Sequence, residues 1–564
     1  MRWLFCLLIV FFVNCAFLIK EEEEIYKELN QCSSDVDCNE FGYCDEELLS
    51  CISSYPLKNG RELFVEVVPQ DSSNSKYYLI ESLFPQSDEI SIELRDPIKV
   101  EGAITFTDEN GETQFVEALI KFIPKIKTHY TPDFSTNSFS GSISEQKNYS
   151  IELPQGIYSI TIQPLNEWKD IIPPYYEENI TLSSTNSYTI SHNYEQNNLR
   201  KIEGIINLPT SIRGNFIVSA FDLATKKQIS TTYEIECKDI ERDNCGYFFI
   251  AMESKYNEFG LRILPSQDER STKYLPVMEL LGFKFEDNDI NNDGRLTPEE
   301  LYGGSILLTD LEYLTKLKGS IVGLDAEETP IRNARVKIIS KEINSYGGLG
   351  NIQLNVLLLS DDKGRFEIPL IPGDYVINIT VDTTSRFTSK SFSITIREEE
   401  EIEETFYLPL KPIMDFEIYT KIRNKPIPNA TINLTHLVLG STFQAVTGMD
   451  GKAAINLDEG EYLLEIVPPE NSHLPWYVGK IVTSQDSSSL SRTVIYISPP
   501  FVLRGTIIGS SSNYLVNLYY PFYLNDDNVN LIKISSTKIT DDSGEFILYY
   551  QPVESTIEDY FSSF

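Results

Sequence analysis

Apolar and polar residues alternate with a period of two through short runs along most of the chain, and the runs recur. Val100-Glu101-Gly102-Ala103-Ile104 opens one series, which closes on Gly156-Ile157-Tyr158-Ser159-Ile160-Thr161-Ile162. Leu317-Lys318-Gly319-Ser320-Ile321-Val322 opens another, which closes on Gly373-Asp374-Tyr375-Val376-Ile377-Asn378-Ile379. Such alternation turns one face of a strand toward a core and the other toward water. Further copies run from Phe416-Glu417-Ile418 through Asp450-Gly451 to Gly460-Glu461-Tyr462, and from Leu503-Arg504-Gly505 to Gly544-Glu545-Phe546, where the chain stops early. A diverged copy runs from Ile202-Glu203-Gly204 to Phe259-Gly260-Leu261. Gly, Pro and Asp between runs supply turns, and Tyr with β-branched residues suits half-buried strands. Self-similarity at about a hundred residues means like domains in tandem.

The pattern predicts an all-β chain of tandem transthyretin- or Ig-like β-sandwich domains, with a small N-terminal disulfide-rich module. Segments 1–14, 15–31, 32–58 and 59–99 are expected to be a signal peptide, an acidic tether, the disulfide-rich module and a β-rich lead-in. Sandwich repeats are expected at 100–195, 200–285 (diverged), 315–408, 412–497 and 500–564 (partial), with a calcium loop at 286–304. The order Gly-x-Ile/Val, Asn333-Ala334-Arg335-Val336, Asp361-x-x-Gly364-x-Phe366 and Pro372-Gly373-x-Tyr375 resembles the carboxypeptidase regulatory-like domain. That resemblance implies a seven-stranded transthyretin-like sandwich, close in shape to the B-type repeats of collagen adhesins. It speaks for the fold and is nearly silent on activity, because sites are grafted onto such sandwiches.

A chain of 564 residues is too long for one core. Its net charge of -37 repels phosphate backbones, and no basic stripe interleaves with aromatics, so nucleic acid is not an expected partner. Met1-Arg2 followed by the apolar run Trp3 to Val13 reads as a signal peptide, too short to span a membrane comfortably. Phe12-Val13-Asn14-Cys15 resembles a bacterial lipobox, although Phe12 and Asn14 depart from its usual residues. The resemblance implies lipidation of Cys15 and anchoring at the bacterial outer membrane or cell surface; plain secretion is the alternative.

Eight cysteines sharpen the export reading. Cys6 lies in the apolar run; Cys32, Cys38, Cys44 and Cys51 cluster, as do Cys237 and Cys245. About twenty residues cannot bury a stabilising core, so the first cluster is expected to be held by disulfides of undetermined connectivity. It has no Cys-x-x-Cys pair and no nearby His, which disfavours zinc. Cys237 and Cys245 are expected to staple a loop, leaving Cys15 without a disulfide partner.

One segment carries chemistry of its own. Asp289-Ile290-Asn291-Asn292-Asp293-Gly294-Arg295-Leu296-Thr297-Pro298-Glu299-Glu300 fits a twelve-residue EF-hand loop. Oxygen side chains stand at positions 1, 3 and 5 (Asp289, Asn291, Asp293), and Gly294 at 6 makes the turn. Arg295 offers its carbonyl at 7, Thr297 stands at 9, and Glu300 at 12 can chelate with both oxygens. Calcium is the expected cofactor, stiffening the junction between the second and third sandwiches. A helix around Pro276–Gly282 is expected before the loop.

Only four histidines are present. His192-Asn193-Tyr194-Glu195 spells the His-x-x-Glu of zinc carboxypeptidases, but the catalytic domain that would supply a further His is missing, and residues three apart on a strand face opposite ways. Trp168 and Trp476 near Pro-containing loops are candidates for stacking on sugars. The sequence therefore predicts a non-catalytic surface lipoprotein, a calcium-stiffened rod for adhesion, ligand binding or envelope organisation, whose partner is a surface protein or polysaccharide. Polysaccharide binding through loop aromatics and a metal peptidase are the alternatives.

Overall fold

The computed structural model describes residues 29–33, 38, 42–45, 48, 50–53, 62–71, 74, 77–83, 89–139, 147–183, 187–207, 214–237, 245–265, 278–302, 306–307, 315–341, 352–370, 372–397, 401–483, 491–508, 513–525 and 528–551. They form an all-β fold of sandwiches in tandem with a disulfide-linked N-terminal module. Two compact units are present. One comprises Met1–Pro97, Lys125–Pro132 and Lys411–Phe564; the other comprises Ile98–Pro124 and Asp133–Leu410.

The third and fourth sandwiches show the plan. In the third, the strands are Thr315–Gly323, Arg335–Ser340, Ile352–Leu359, Arg365–Leu370, Gly373–Thr380, Lys390–Ile396 and Glu401–Leu408. One sheet runs fourth-first-seventh and the other third-second-fifth-sixth. The first strand is antiparallel to the fourth and parallel to the seventh. The fourth sandwich, from Ile413–Thr420 to Ser491–Ile497, repeats this order.

The recurring sequence signs have local causes. Tyr158, Tyr375 and Tyr462 of the Gly-x-Tyr motif are buried at the start of each fifth strand. The Tyr158 and Tyr462 hydroxyls donate to the carbonyls of Pro154 and Asp458, at 2.9 and 2.8 Å, pinning the preceding corner as a tyrosine corner does. In the Asp-x-x-Gly turn, Asp361 accepts from the amides of Lys363 and Arg365 at 2.9 and 2.7 Å. Gly364 has φ +73°, and a Cβ there would lie 2.5 Å from the Ile321 carbonyl oxygen.

The glycine of each opening strand has a different cause. Gly204, Gly319 and Gly505 lie directly opposite Phe248, Phe366 and Phe546 on the fourth strand. A Cβ on any of them would meet the ring at 2.1–2.3 Å. The aromatic ring covers the bare backbone and fills the space that a second side chain would need. In the first sandwich the pair is Gly102 and Tyr149; in the fourth it is inverted, with Phe416 opposite Ala453.

The fifth sandwich is the main departure from expectation. The segments read as a lead-in (59–99) and a partial repeat (500–564) contribute to the same two sheets. Phe501–Ile508, Tyr514–Asn525, Asn528–Lys533 and Glu545–Tyr550 serve as strands one to four, and Leu63–Pro69, Leu79–Leu83 and Glu89–Glu93 serve as five to seven. Leu63–Pro69 pairs antiparallel with Tyr514–Asn525, and Glu89–Glu93 runs parallel to Phe501–Ile508, as a seventh strand should. The last repeat is short because its remaining strands come from the other end of the chain. They share one core, including Val65, Val67, Ile92, Leu503, Val516 and Leu548.

The disulfide module packs between the fourth and fifth sandwiches. Cys32, Cys38 and Cys51 cluster with Ile422, and Ile52 clusters with Val502 and Tyr549. His473 joins the three parts: its Nδ1 is 2.9 Å from Ser50 Oγ, and its ring stacks on Tyr549 at 4.9 Å. Asp45 pairs with Arg504 at 2.9 Å. Segment 125–132 is fastened to the fifth sandwich by buried Glu66, which accepts from Tyr78, Tyr519, Asn517 and the Thr128 hydroxyl.

In the other unit, the second and third sandwiches share one eight-stranded sheet. Its join is the pairing of Met278, Glu279 and Leu280 with Leu354, Gln353 and Ile352. A single buried cluster runs through both, from Ile202 to Leu408.

Two outcomes check this account. Phe366→Ala should cost about 3–5 kcal/mol in denaturant unfolding, and adding Gly319→Phe, which copies the Phe416/Ala453 arrangement, should recover part of that loss. A chain lacking residues 29–97 should lose the calorimetric transition of the fifth sandwich, and the same segment supplied as a separate peptide should restore it.

Candidate metal centre

The loop Asp289–Glu300 occupies the place where the second sandwich needs its seventh strand. The sixth strand, Met278–Lys284, covers most of the segment expected to be helical. Sheet pairing on both sides overrides the helical propensity of Met278-Glu279-Leu280-Leu281. It leads into the short helix Phe285–Asn288, then the loop, the two-residue strand Arg295–Leu296 and the helix Pro298–Tyr302. Arg295–Leu296 runs parallel to the opening strand Leu199–Asn207 at Lys201 and Ile202, and Ile306–Leu307 does so at Ile206 and Asn207. Leu296 is fully buried, and the Arg295 guanidinium pairs with Glu203, which is 6 % exposed. The edge that a second loop would cover in a paired EF-hand is covered by this opening strand.

Within the loop, the expected ligand residues bind its own amides. Asp289, 7 % exposed, accepts from Asp293 N at 3.2 Å and Gly294 N at 3.0 Å. Asn291 accepts from Asp293 N, and Asp293 accepts from Arg295 N, each at 2.9 Å. Gly294 at φ +76° and Asn292 at φ +57° make the turn. Thr297 and Glu300 form a reciprocal capping box: Glu300 Oε2 accepts from Thr297 N at 3.0 Å, and Thr297 Oγ1 accepts from Glu300 N at 3.4 Å. Pro298 takes the first helical position, where its missing N–H costs nothing.

The Thr297 amide holds the Glu300 carboxyl below the usual carboxylate range, aided by the Thr297 hydroxyl and the amides of Ile290 and Asn291, against a smaller upward push from burial. Glu300 therefore reaches back across the loop to positions 2 and 3. Side-chain oxygens with one carbonyl are the donor set of a hard cation, and this set suits calcium in kind and order. The carboxylates are not gathered on one centre. Among the described residues, the grouping of three or more candidate ligand atoms within 4.8 Å of one another is Cys32, Cys38 and Cys51. Those sulfurs are in the disulfides Cys32–Cys44 and Cys38–Cys51, a connectivity that the sequence left open.

The remaining candidates fall elsewhere. Cys15 lies outside the described residues. Cys237 and Cys245 end and begin strands, and their side chains also lie outside what is described. Trp168 is 7 % exposed and packs on Phe106 at 5.7 Å, so it offers no face to a sugar. Trp476 is half-buried, with Lys533 Nζ 4.9 Å over its ring and its Nε1 buried. His192 does not face Glu195. It stacks on Tyr175 at 3.7 Å and lies 3.2 Å from Glu253, while exposed Glu195 accepts from Asn198. The peptidase pair is thus two residues with separate structural roles. His436 is buried; its Nδ1 accepts from Val438 N in its own hairpin, and its Nε2 lies 3.0 Å from the Glu459 carbonyl. The turn Glu253–Asn257, which meets His192 on one side and the helix entering the loop on the other, had no signal in the sequence.

No family model matches the chain, and no curated protein does. What the structure shows of the expected resemblance is the tandem β-sandwich fold. Among solved structures, a streptococcal ancillary pilin is 13 % identical over 53 % of this chain and 99 % of its own, with a TM-score of 0.22. The shaft pilin SpaA of Lactobacillus rhamnosus GG is 10 % identical over 33 % and 98 %, with a TM-score of 0.18. The Bacillus anthracis TIE protein is 12 % identical over 69 % and 70 %, with a TM-score of 0.16. TM-scores this low carry no inference about function for this chain.

Proposed function

We propose that the protein is an exported, non-catalytic surface scaffold, held at the cell envelope through Cys15 and stabilised by calcium in the loop Asp289–Glu300. In this reading its partner is a surface protein or polysaccharide that meets exposed loops of the sandwiches. The observation that carries it is the disulfide module packed between two sandwiches. A fold whose interior is completed by oxidised cysteines belongs to an oxidising compartment. Asp289, Asn291, Asp293 and Glu300 side chains, with the Arg295 carbonyl and Thr297, would hold the ion. Bound calcium would tie the loop to itself where a continuous strand is missing.

Calcium titration of the full chain tests the loop. Calcium at a hundred times Kd should stabilise the fold by about 2.7 kcal/mol, read as a rise in Tm. Glu300→Gln keeps the capping box, because Gln serves there as well as Glu, but removes the bidentate carboxylate. It should lower the calcium-free Tm slightly, because Gln gives up the charge that the loop amides favour, and weaken calcium binding at least about tenfold. Equal binding by the variant would sink the calcium reading. The compartment is tested by preparing the chain with its cysteines reduced, where each missing disulfide should cost about 2–4 kcal/mol.

A further inference from the structure

The second sandwich is joined to its two neighbours in different ways. It is fused to the third by strand pairing and a shared core. Among the described residues, no strand of the first sandwich pairs with a strand of the second. There the two meet through side chains. His192 stacks on Tyr175 and lies 3.2 Å from Glu253; Lys255 lies 2.8 Å from Glu253 and 4.1 Å over the Tyr175 ring; Lys227 pairs with Glu178 at 2.8 Å. The second–third junction, expected from the sequence to be stiffened by the ion, is already held by a continuous sheet; the first is the compliant one, and the loop lies on its side of the second sandwich. Met278–Lys284 pairs with the third sandwich through its first three residues, and the loop leaves from its far end.

The turn Glu253–Asn257 touches both the loop and the junction. On the junction side it presents Glu253 and Lys255 to His192 and Tyr175. On the loop side, Asn257 caps the entrance helix: its carbonyl accepts from Phe285 N at 2.8 Å and its Oδ1 from Glu286 N at 2.9 Å. Arg200, just after the link 196–198 between the sandwiches, lies 4.6 Å over the Phe285 ring, 3.5 Å from Glu286, and donates to the Tyr256 carbonyl at 3.3 Å. Asn198 of the link accepts from Ser254 N, and Lys201 N donates to the Gly294 carbonyl. The entrance helix is four residues long, too short to hold its own shape in water, so its position depends on its caps and on the loop that follows.

We propose that calcium in the loop sets the stiffness of the junction between the first and second sandwiches, acting through the entrance helix, Arg200 and the turn Glu253–Asn257; this rests on the calcium reading above. An ion draws Asp289, Asn291, Asp293, the Arg295 carbonyl and Glu300 onto one centre, which fixes both ends of the loop. The entrance helix is then held on Asn257 and Arg200, and the turn is held against Tyr175 and His192. Without the ion, the helix and turn open together. The element with two states is the turn, docked or released, and the ion biases it.

Hydrogen exchange on the full chain, with calcium or a chelator and with magnesium as control, tests this beside a direct calorimetric measurement of calcium binding. Calcium should slow exchange in peptides covering 196–201 and 253–258 by roughly tenfold, toward the lower end of the range for coupled sites, and leave 431–467 unchanged. Arg200→Ala should still bind calcium and protect 289–300 while losing the protection at 196–201. Asn257→Ala is the second variant for the same comparison. By reciprocity, Lys255→Met, remote from the ligands, should weaken calcium binding measurably, by up to the same factor. Binding without any change at the junction overturns the coupling and leaves the calcium site standing; absence of binding overturns both.

Discussion

The open edge of each first strand is the constraint on which the rest of the structure depends. That strand sits in mid-sheet, its backbone groups cannot stay unpaired in a packed sandwich, and a parallel neighbour must be found for one side. The third and fourth sandwiches use their own seventh strands. The first uses two pieces, Tyr188–Thr189 and His192–Glu195. The second uses two-residue stubs on either side of the helix that ends its acidic loop. The fifth takes Glu89–Glu93 from the other end of the chain. Four solutions to one requirement, shared among five sandwiches, explain the main irregularities of the chain.

The same view explains why the acidic loop sits where it does. A continuous seventh strand is stabilised by a full ladder; two stubs are not. Arg295 on Glu203 and Leu296 in the core supply part of the missing hold. The capping box of Thr297 and Glu300 supplies another part, and oxygen ligands around a cation would supply the remainder. The disulfide module has a comparable task between the fourth and fifth sandwiches, where Ser50, His473 and Tyr549 bind it to both.

Much of this was legible in local sequence because it has local causes. Gly-x-Tyr encodes a corner in which the tyrosine hydroxyl reaches four residues back, and Asp-x-x-Gly encodes a turn closed by its own carboxylate. The turn of the twelve-residue acidic loop was legible for the same reason, since the carboxylate and the glycine that close it lie within one stretch. The segment around Pro276–Gly282 was not. Its residues suit a helix, and only neighbours on both sides, Glu258–Pro265 and Ile352–Leu359, make most of it a strand.

By itself the sequence determined the sandwich as the repeating unit, the positions of its turns, the candidate calcium loop and the cysteines available for staples, because each depends on spacings within about a hundred residues. Tertiary structure alone decided the partners. It joined strands more than four hundred residues apart into the fifth sandwich, set the disulfide connectivity, fused the second and third sandwiches, and placed Asn257 and Arg200 on the entrance helix of the loop. Alternation states that a strand has a core face and an open edge. It does not state which strand will cover that edge, since every strand here presents the same backbone groups and a similar apolar stripe, and the choice is made by the packing of the whole unit.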